Sequence, residues 1–86
     1  MIPEELAVKE IIHEYRRATK KFGSFASTHE GYAVILEELD ELWDEIKKNS
    51  SKEVMRKEAV QVAAMGLRFM LDCCTGIEHV NYGKES

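Results

Sequence analysis

Apolar residues recur at steps of three and four positions along most of the chain, and no segment alternates strictly between apolar and polar residues. That spacing is typical of amphipathic helices. It predicts three helices, over about residues 4–21, 28–48 and 51–73, interrupted by the segments GSFASTHEG and NSSKE. The predicted fold class is therefore all-α, with a short polar tail at 77–86.

Residues that favour helix ends stand near the predicted boundaries. Pro3 suits the first turn of a helix, and Gly23 suits the position just after the first helix ends. The pairs Ser27 with Glu30 and Ser50 with Glu53 each have the spacing of a capping box. These pairs predict where the second and third helices begin.

The second helix carries one apolar stripe along its whole length, and we expect that stripe to be buried. Its members are Tyr32, Ile35, Leu36, Leu39, Leu42, Trp43 and Ile46. Because Trp43 continues the stripe, we interpret it as a core residue and not as a platform on which a base stacks.

The third helix is apolar on two sides. One stripe comprises Met55, Ala59, Val62, Ala63, Gly66, Phe69, Met70 and Cys73, and the other comprises Val60, Ala64, Leu67 and Leu71. A helix with two apolar faces needs two partners. We expect the first two helices to cover the first stripe and a second copy of the chain to cover the other. The prediction is a three-helix protomer in a homodimer or homotetramer with a four-helix-bundle core.

Length and composition narrow the possibilities. Eighty-six residues form one small domain, and so small a core needs help from disulfides, a metal or oligomerisation. Cys73 and Cys74 are adjacent, so they cannot join distant segments, and free thiols suit the cytoplasm. We expect no signal peptide and no membrane span. The net charge of −4 disfavours nucleic acid as a partner.

Acidic residues crowd the segment LEELDELWDEI, which spans 36–46 and contains six acids and no base. Like charges one helical turn apart repel by a few tenths of a kcal/mol per pair. Glu38 and Glu41 lie on one side of this helix, and Glu58 has a similar position on the next. If the two helices pair antiparallel, these carboxylates converge into a donor set suited to Mg²⁺ or Mn²⁺. The alternative is plain solvation, which we expect for Glu37, Asp40, Asp44 and Glu45.

Two short motifs in this region resemble a known family. EELDE (37–41), followed on the next helix by EAVQ (58–61), is similar to the EExxE and ExxD motifs of the MazG-like all-α nucleoside triphosphate pyrophosphohydrolases, and the resemblance covers roughly 29–72. It implies hydrolysis of a nucleoside triphosphate to a monophosphate and pyrophosphate with Mg²⁺, in dimeric or tetrameric bundles. It also implies that Glu38, Glu41 and Glu58 bind metal.

One position departs from the family pattern. Gln61 stands where the motif has aspartate. Its side-chain carbonyl can bind a hard cation, but without a charge. We therefore keep Gln61 as a fourth candidate ligand, and the departure leaves open a site with altered or absent activity.

Other residues are candidates for catalysis or for substrate binding. Glu41 is the candidate general base for the attacking water. Lys57 and Arg68 are candidates to bind triphosphate oxygens, with surface solubility as the alternative for both. The tail segment NYGK resembles an NxxK element of some family members, which implies that Asn81 and Lys84 hold the nucleotide.

Two further functions remain open at this stage. The chain could be a non-catalytic helical interaction protein whose acids are solvated and whose metal site is degenerate at Gln61. It could also be a related pyrophosphatase acting on a phosphoribosyl nucleotide. No residue in the sequence selects a base or a sugar, and the cysteines lack a neighbouring catalytic base.

Overall fold

The computed structural model describes residues 2–74. It contains α1 (Glu4–Phe22), α2 (Thr28–Lys47) and α3 (Lys52–Cys73), and no strand occurs in this range. The all-α class is confirmed, and each predicted helix agrees with the observed one to within a residue at either end. None of the three helices is long and apolar enough to cross a membrane. The tail candidates Asn81 and Lys84 lie outside the described residues.

The start of α2 is capped as predicted, whereas the predicted cap of α3 is wrong by one residue. Ser27 Oγ accepts a hydrogen bond from the Glu30 backbone N–H at 3.1 Å. At α3 it is Ser51, and not Ser50, whose side chain accepts from the Val54 N–H, at 3.2 Å. The left-handed residue Asn49, with φ 56°, lies in the connection, and the chain enters α3 one residue later than expected.

α3 is the shared packing partner of the other two helices. α3 packs against both neighbours, and among residues 2–74 no Cα atom of α1 lies within 8 Å of one in α2. α2 and α3 run antiparallel across their short connection. α1 runs parallel to α3, because Arg56 near the start of α3 bonds Glu10 and Arg68 further along it bonds Gly23.

The second apolar stripe of α3 packs partly against α1, so a second copy is not needed to cover its middle, whereas Leu71 at its end stays 45% exposed. Ala64 in this stripe is completely buried and belongs to one cluster with Ala18 of α1. Val60 lines a cleft together with Ile11. α1 and α2 therefore pack on different faces of α3.

Most of the α2 stripe that we expected to be buried is exposed in the protomer. Trp43 keeps 54% of its surface exposed and Tyr32 keeps 64%. α2 meets α3 along a neighbouring face instead, where a Cβ added to Gly31 would lie 2.6 Å from Phe69. One helix partner covers only part of a wide apolar face, so the interpretation of Trp43 as a core residue is wrong for the isolated chain.

The segment between α1 and α2 crosses α3 and is fastened there. The Arg68 guanidinium lies 4.1 Å from the centre of the Phe25 ring, and its Nη2 donates to the Gly23 carbonyl at 2.8 Å. Asp72 accepts a hydrogen bond from the Phe25 N–H at 3.0 Å. These contacts hold Phe25 in the small core that it shares with Met65.

Candidate metal centre

Three carboxylates from two helices come together, as the sequence predicted. Glu38, Glu41 and Glu58 each place an oxygen so that the three atoms all lie within 4.8 Å of one another. The hairpin explains this convergence. Glu41 precedes Asn49 by eight residues, and Glu58 follows Ser50 by eight. In an antiparallel pair of helices the two acids therefore lie at the same height along the helix axes. Glu38 joins them because residues three apart share one side of a helix.

The surroundings of the three acids favour the neutral form of two of them. Desolvation, followed by the charge of Glu41, raises the pKa of Glu38 to about 7. Desolvation and the charges of Glu41 and Glu45 raise the pKa of Glu58, while the neighbouring Lys57 opposes that shift. Both side chains are half-buried, whereas Glu41 is exposed. The cluster therefore holds more negative charge than its environment compensates.

The donor set fits a hard divalent cation. Among residues 2–74, none of the three carboxylates forms an ion pair with a lysine, an arginine or a histidine. Carboxylate oxygens are the ligands that Mg²⁺ and Mn²⁺ prefer, and Mg²⁺ keeps waters or phosphate oxygens in its remaining positions. Glu38, Glu41 and Glu58 could hold such an ion, and its charge would offset both the burial and the neighbouring negative charges that raise the two pKa values.

Gln61 faces a different neighbour from the three acids. It lines a groove between α1 and the first turns of α3, together with Lys57. The pKa of Glu14 is lowered chiefly by its hydrogen bond to Arg17, and the neighbouring Gln61 side chain also lowers it. Gln61 is thus engaged with α1, and its role as a metal ligand stays a prediction.

Lys57 and Arg68, the two candidate substrate cations, lie in different surroundings. Lys57 is exposed and directly follows Arg56 in the groove. Arg68 is only 4% exposed and lies about 15 Å along the helix axis from Glu58, at 1.5 Å per residue. Its guanidinium is occupied by Phe25 and the Gly23 carbonyl, so in this conformation it fastens the loop.

Sequence reasoning missed Glu14, which is one of the two buried charged residues found among positions 2–74. Its carboxylate accepts two hydrogen bonds from Arg17, at 2.8 and 2.6 Å. The spacing of Glu14 and Arg17, three apart on a helix, was a visible signal for the ion pair. Glu14 is buried because α1 packs against α3 on this side. The pattern of apolar residues in α1 does not predict that packing.

The surroundings of the Cys73 thiol do not activate it as a nucleophile. Desolvation, followed by the charge of Asp72, raises the pKa of the Cys73 thiol and so disfavours the reactive thiolate.

Comparisons with protein-family models, with curated proteins and with solved structures find no match to this chain. The resemblance to the MazG-like hydrolases therefore rests on the two sequence motifs alone.

Proposed function

We propose that the protein is an Mg²⁺-dependent nucleoside triphosphate pyrophosphohydrolase. The observation that carries this proposal is the convergence of Glu38, Glu41 and Glu58 from two helices, with oxygens within 4.8 Å of one another. The motif resemblance supplies the reaction class. Burial, followed by the charge of Glu41, raises the pKa values of Glu38 and Glu58, and a bound cation would stabilise the charged form of both.

In the proposed reaction a water molecule attacks the α-phosphorus of the nucleotide. The bond from that phosphorus to the bridging oxygen breaks, and pyrophosphate leaves with the bond's electron pair. Glu41 accepts the proton of the attacking water, since it is the most exposed of the three acids. A metal ion held by Glu38, Glu41 and Glu58 would neutralise charge on the phosphate oxygens and lower the pKa of a bound water. Lys57 contributes positive charge beside Glu58.

The direct experiment is a substrate panel. The protein is incubated with Mg²⁺ and each of the common ribonucleoside and deoxyribonucleoside triphosphates in turn, and the products are identified. We expect a monophosphate and pyrophosphate in equal amounts from at least one substrate. Release of inorganic phosphate with a diphosphate would indicate attack at the γ-phosphorus, and no turnover on any substrate would refute the hydrolase.

A non-catalytic helical interaction protein is the second candidate. It is favoured by Gln61, which stands in the place of the family's aspartate and lies beside Glu14 of α1. Calorimetry with Mn²⁺ separates the two. The hydrolase requires binding that disappears in Glu38→Gln and in Glu58→Gln, whereas solvated acids would give equal, weak heats in all three proteins. A phosphoribosyl nucleotide as substrate is tested by adding that class to the panel.

The proposed enzyme works as a homodimer or homotetramer with a four-helix-bundle core. It acts in the cytoplasm, where the adjacent Cys73 and Cys74 stay reduced. Its partner is a nucleoside triphosphate, and we expect no nucleic-acid partner because the net charge is −4.

A further inference from the structure

The groove between α1 and the first turns of α3 has the size and the lining of a small-molecule site. Its volume is about 940 Å³. The half-buried Ile12 and Val60 contribute apolar surface, and the exposed Lys9, His13 and Lys57 contribute polar groups. Sites for small molecules typically have volumes of about 300–1,000 Å³ and combine apolar lining with a few polar groups. We call this hollow the α1–α3 groove.

Two acids that line the α1–α3 groove are already bonded to arginines. Glu10 of α1 accepts hydrogen bonds from the Arg56 guanidinium of α3, one of them at 3.0 Å. Glu14 accepts two from Arg17, at 2.8 and 2.6 Å. The charges of both carboxylates are therefore compensated within the protein, and the bonds between Glu10 and Arg56 hold the two helices together along the groove.

Two lysines of the groove have no such partner. Neither Lys9 nor Lys57 forms an ion pair with an acid of residues 2–74. Lys9 directly precedes Glu10 and Lys57 directly follows Arg56, and Glu10 and Arg56 are bonded across the two helices. The two ammonium groups therefore border the same stretch of the groove, one from each helix.

The groove thus differs in charge from the chain as a whole. Its other charged residues without a partner in the groove, Arg16 and Glu53, have opposite signs and cancel. Two uncompensated positive charges remain in a chain whose net charge is −4. A phosphate monoester carries about −1.5 to −2 charges near neutral pH, and lysines bind phosphate as point charges. Two ammonium groups beside an apolar surface therefore match a dianion with an apolar body.

The α1–α3 groove lies on a different side of α3 from the acidic centre. Val60 follows Glu58 by two residues, so it lies about 160° around the helix from Glu58. Glu58 faces α2, where it meets Glu38 and Glu41, whereas the groove faces α1. No Cα atom of α1 lies within 8 Å of one in α2. A ligand in the groove does not need the metal centre in order to bind.

We propose that the α1–α3 groove is a second ligand site, which binds a small organic phosphate monoester independently of the metal centre. The phosphate lies between Lys9 and Lys57, and the apolar body of the ligand lies against Ile12 and Val60. The groove exists without the ligand, so little ordering opposes binding. Because the ligand contacts both helices, it binds the state in which α1 is docked on α3 and stabilises that state.

The test begins with calorimetry on the full chain in the presence of a chelator, with naphthyl phosphate as the probe. We expect saturable, equimolar binding. Naphthol lacks the phosphate and inorganic phosphate lacks the apolar body, so each should bind at least roughly tenfold more weakly. Naphthoate tests the kind of anion, and its single charge should also bind more weakly than the dianion.

Variants then place the site. Lys9→Gln should weaken the binding of naphthyl phosphate by roughly tenfold, because one charge-assisted contact is lost. Lys57→Gln should weaken it by a similar factor. The matched control is Lys20→Gln, which makes the same change at an exposed position of α1 outside the groove and should leave binding unchanged. Glu38→Gln should also bind the probe as wild type does, because its carboxylate belongs to the acidic centre.

Hydrogen exchange gives a second readout that does not depend on a variant. Amides of α1 should exchange more slowly when naphthyl phosphate is bound, because the ligand stabilises the docked helix. Amides of α2 should be unaffected, since α2 does not border the groove.

Several results would overturn the inference. They are the absence of saturable binding, naphthol or naphthoate binding as tightly as naphthyl phosphate, and binding that Lys9→Gln leaves unchanged. Binding that requires Mg²⁺ and is lost in Glu38→Gln would make the groove part of the substrate site, and this also contradicts an independent site. None of these measurements involves turnover, so a failure here is distinct from a failure of the proposed hydrolase.

Discussion

Glu41 and Glu58 stand opposite each other across the α2–α3 hairpin, with carboxylate oxygens within 4.8 Å. The connection between their helices spans four residues, 48–51, so the two acids belong to one local unit. Their proximity is unfavourable without a cation, since like charges repel. The hairpin nevertheless places the two carboxylates side by side, and this is the main reason to expect a bound metal.

Neutralising any of the three acids should abolish Mg²⁺-dependent turnover. We expect Glu38→Gln, Glu41→Gln and Glu58→Gln each to lose at least the roughly hundredfold that a general base contributes. Helicity, measured by circular dichroism, should stay as in wild type because repulsion falls. Asp40→Asn is the matched control on an exposed acid of the same helix. Turnover retained in all three variants, or loss of helicity in each, would show that the acids are structural or irrelevant.

Stability in metal-free buffer should fall as the pH rises from about 4.5 to about 7. Burial, followed by the charge of Glu41, raises the pKa of Glu38 from 4.5 to about 7. In that window the folded chain keeps a proton that the unfolded chain releases, so the free energy of unfolding decreases with pH. The decrease due to Glu38 should be on the order of 1 kcal/mol, allowing for screening at a half-buried site.

The measurement is urea unfolding at about pH 5 and pH 8 in the presence of a chelator. Glu38→Gln should lose most of the pH-dependent decrease, whereas Asp40→Asn should keep it. An identical pH dependence in wild type and Glu38→Gln would contradict the assignment. Saturating Mn²⁺ should remove the decrease in wild type, because the ion binds the deprotonated carboxylates.

Gln61→Asp tests the departure from the family motif. If Gln61 is a ligand, the substitution replaces a neutral oxygen with a charged one and should tighten Mn²⁺ binding, as measured by calorimetry. It also places a carboxylate beside Glu14, which should lower stability slightly. Unchanged or weaker Mn²⁺ binding would put Gln61 outside the coordination shell. Gln61→Glu has a side chain one methylene longer than Gln61→Asp. It shows whether the aspartate is too short to contact the metal ion.

Arg68→Met separates a structural role from a substrate role. The change keeps an apolar stem but removes the contact with Phe25 and the hydrogen bond to Gly23. We expect a loss of about 1–3 kcal/mol in the free energy of unfolding, with KM for the nucleotide unchanged below the unfolding temperature. A large rise in KM at unaltered stability would restore Arg68 as a substrate residue. Arg16→Met, at an exposed position of α1, is the control.

The helices and the acidic centre could be predicted from sequence because both depend on local spacing. Glu38 and Glu41 are neighbours on any helix that contains them, and a short connection forces the next helix to run back past them. The cap of α3 was missed by one residue because Ser50 and Ser51 are both capable of capping. The left-handed conformation of Asn49 decides between them.

The packing partners of each face could not be predicted because several arrangements satisfy the same pattern. Ala64 lies in a stripe that suits either α1 or a second chain, and only the position of α1 assigns it to the protomer. Arg68 looks like a free surface cation in the sequence. Its burial depends on Phe25, 43 residues away, in a segment without periodicity.

The place of α3 between two helices that do not meet has a consequence for partial unfolding. We expect α1 to detach in a local opening event that leaves the α2–α3 hairpin closed, since no Cα atom of α1 lies within 8 Å of one in α2. Amide hydrogens of α1 would then exchange with solvent sooner than those of α3, as a separate cooperative unit. The three carboxylates all belong to the hairpin, so the acidic centre would persist through such openings.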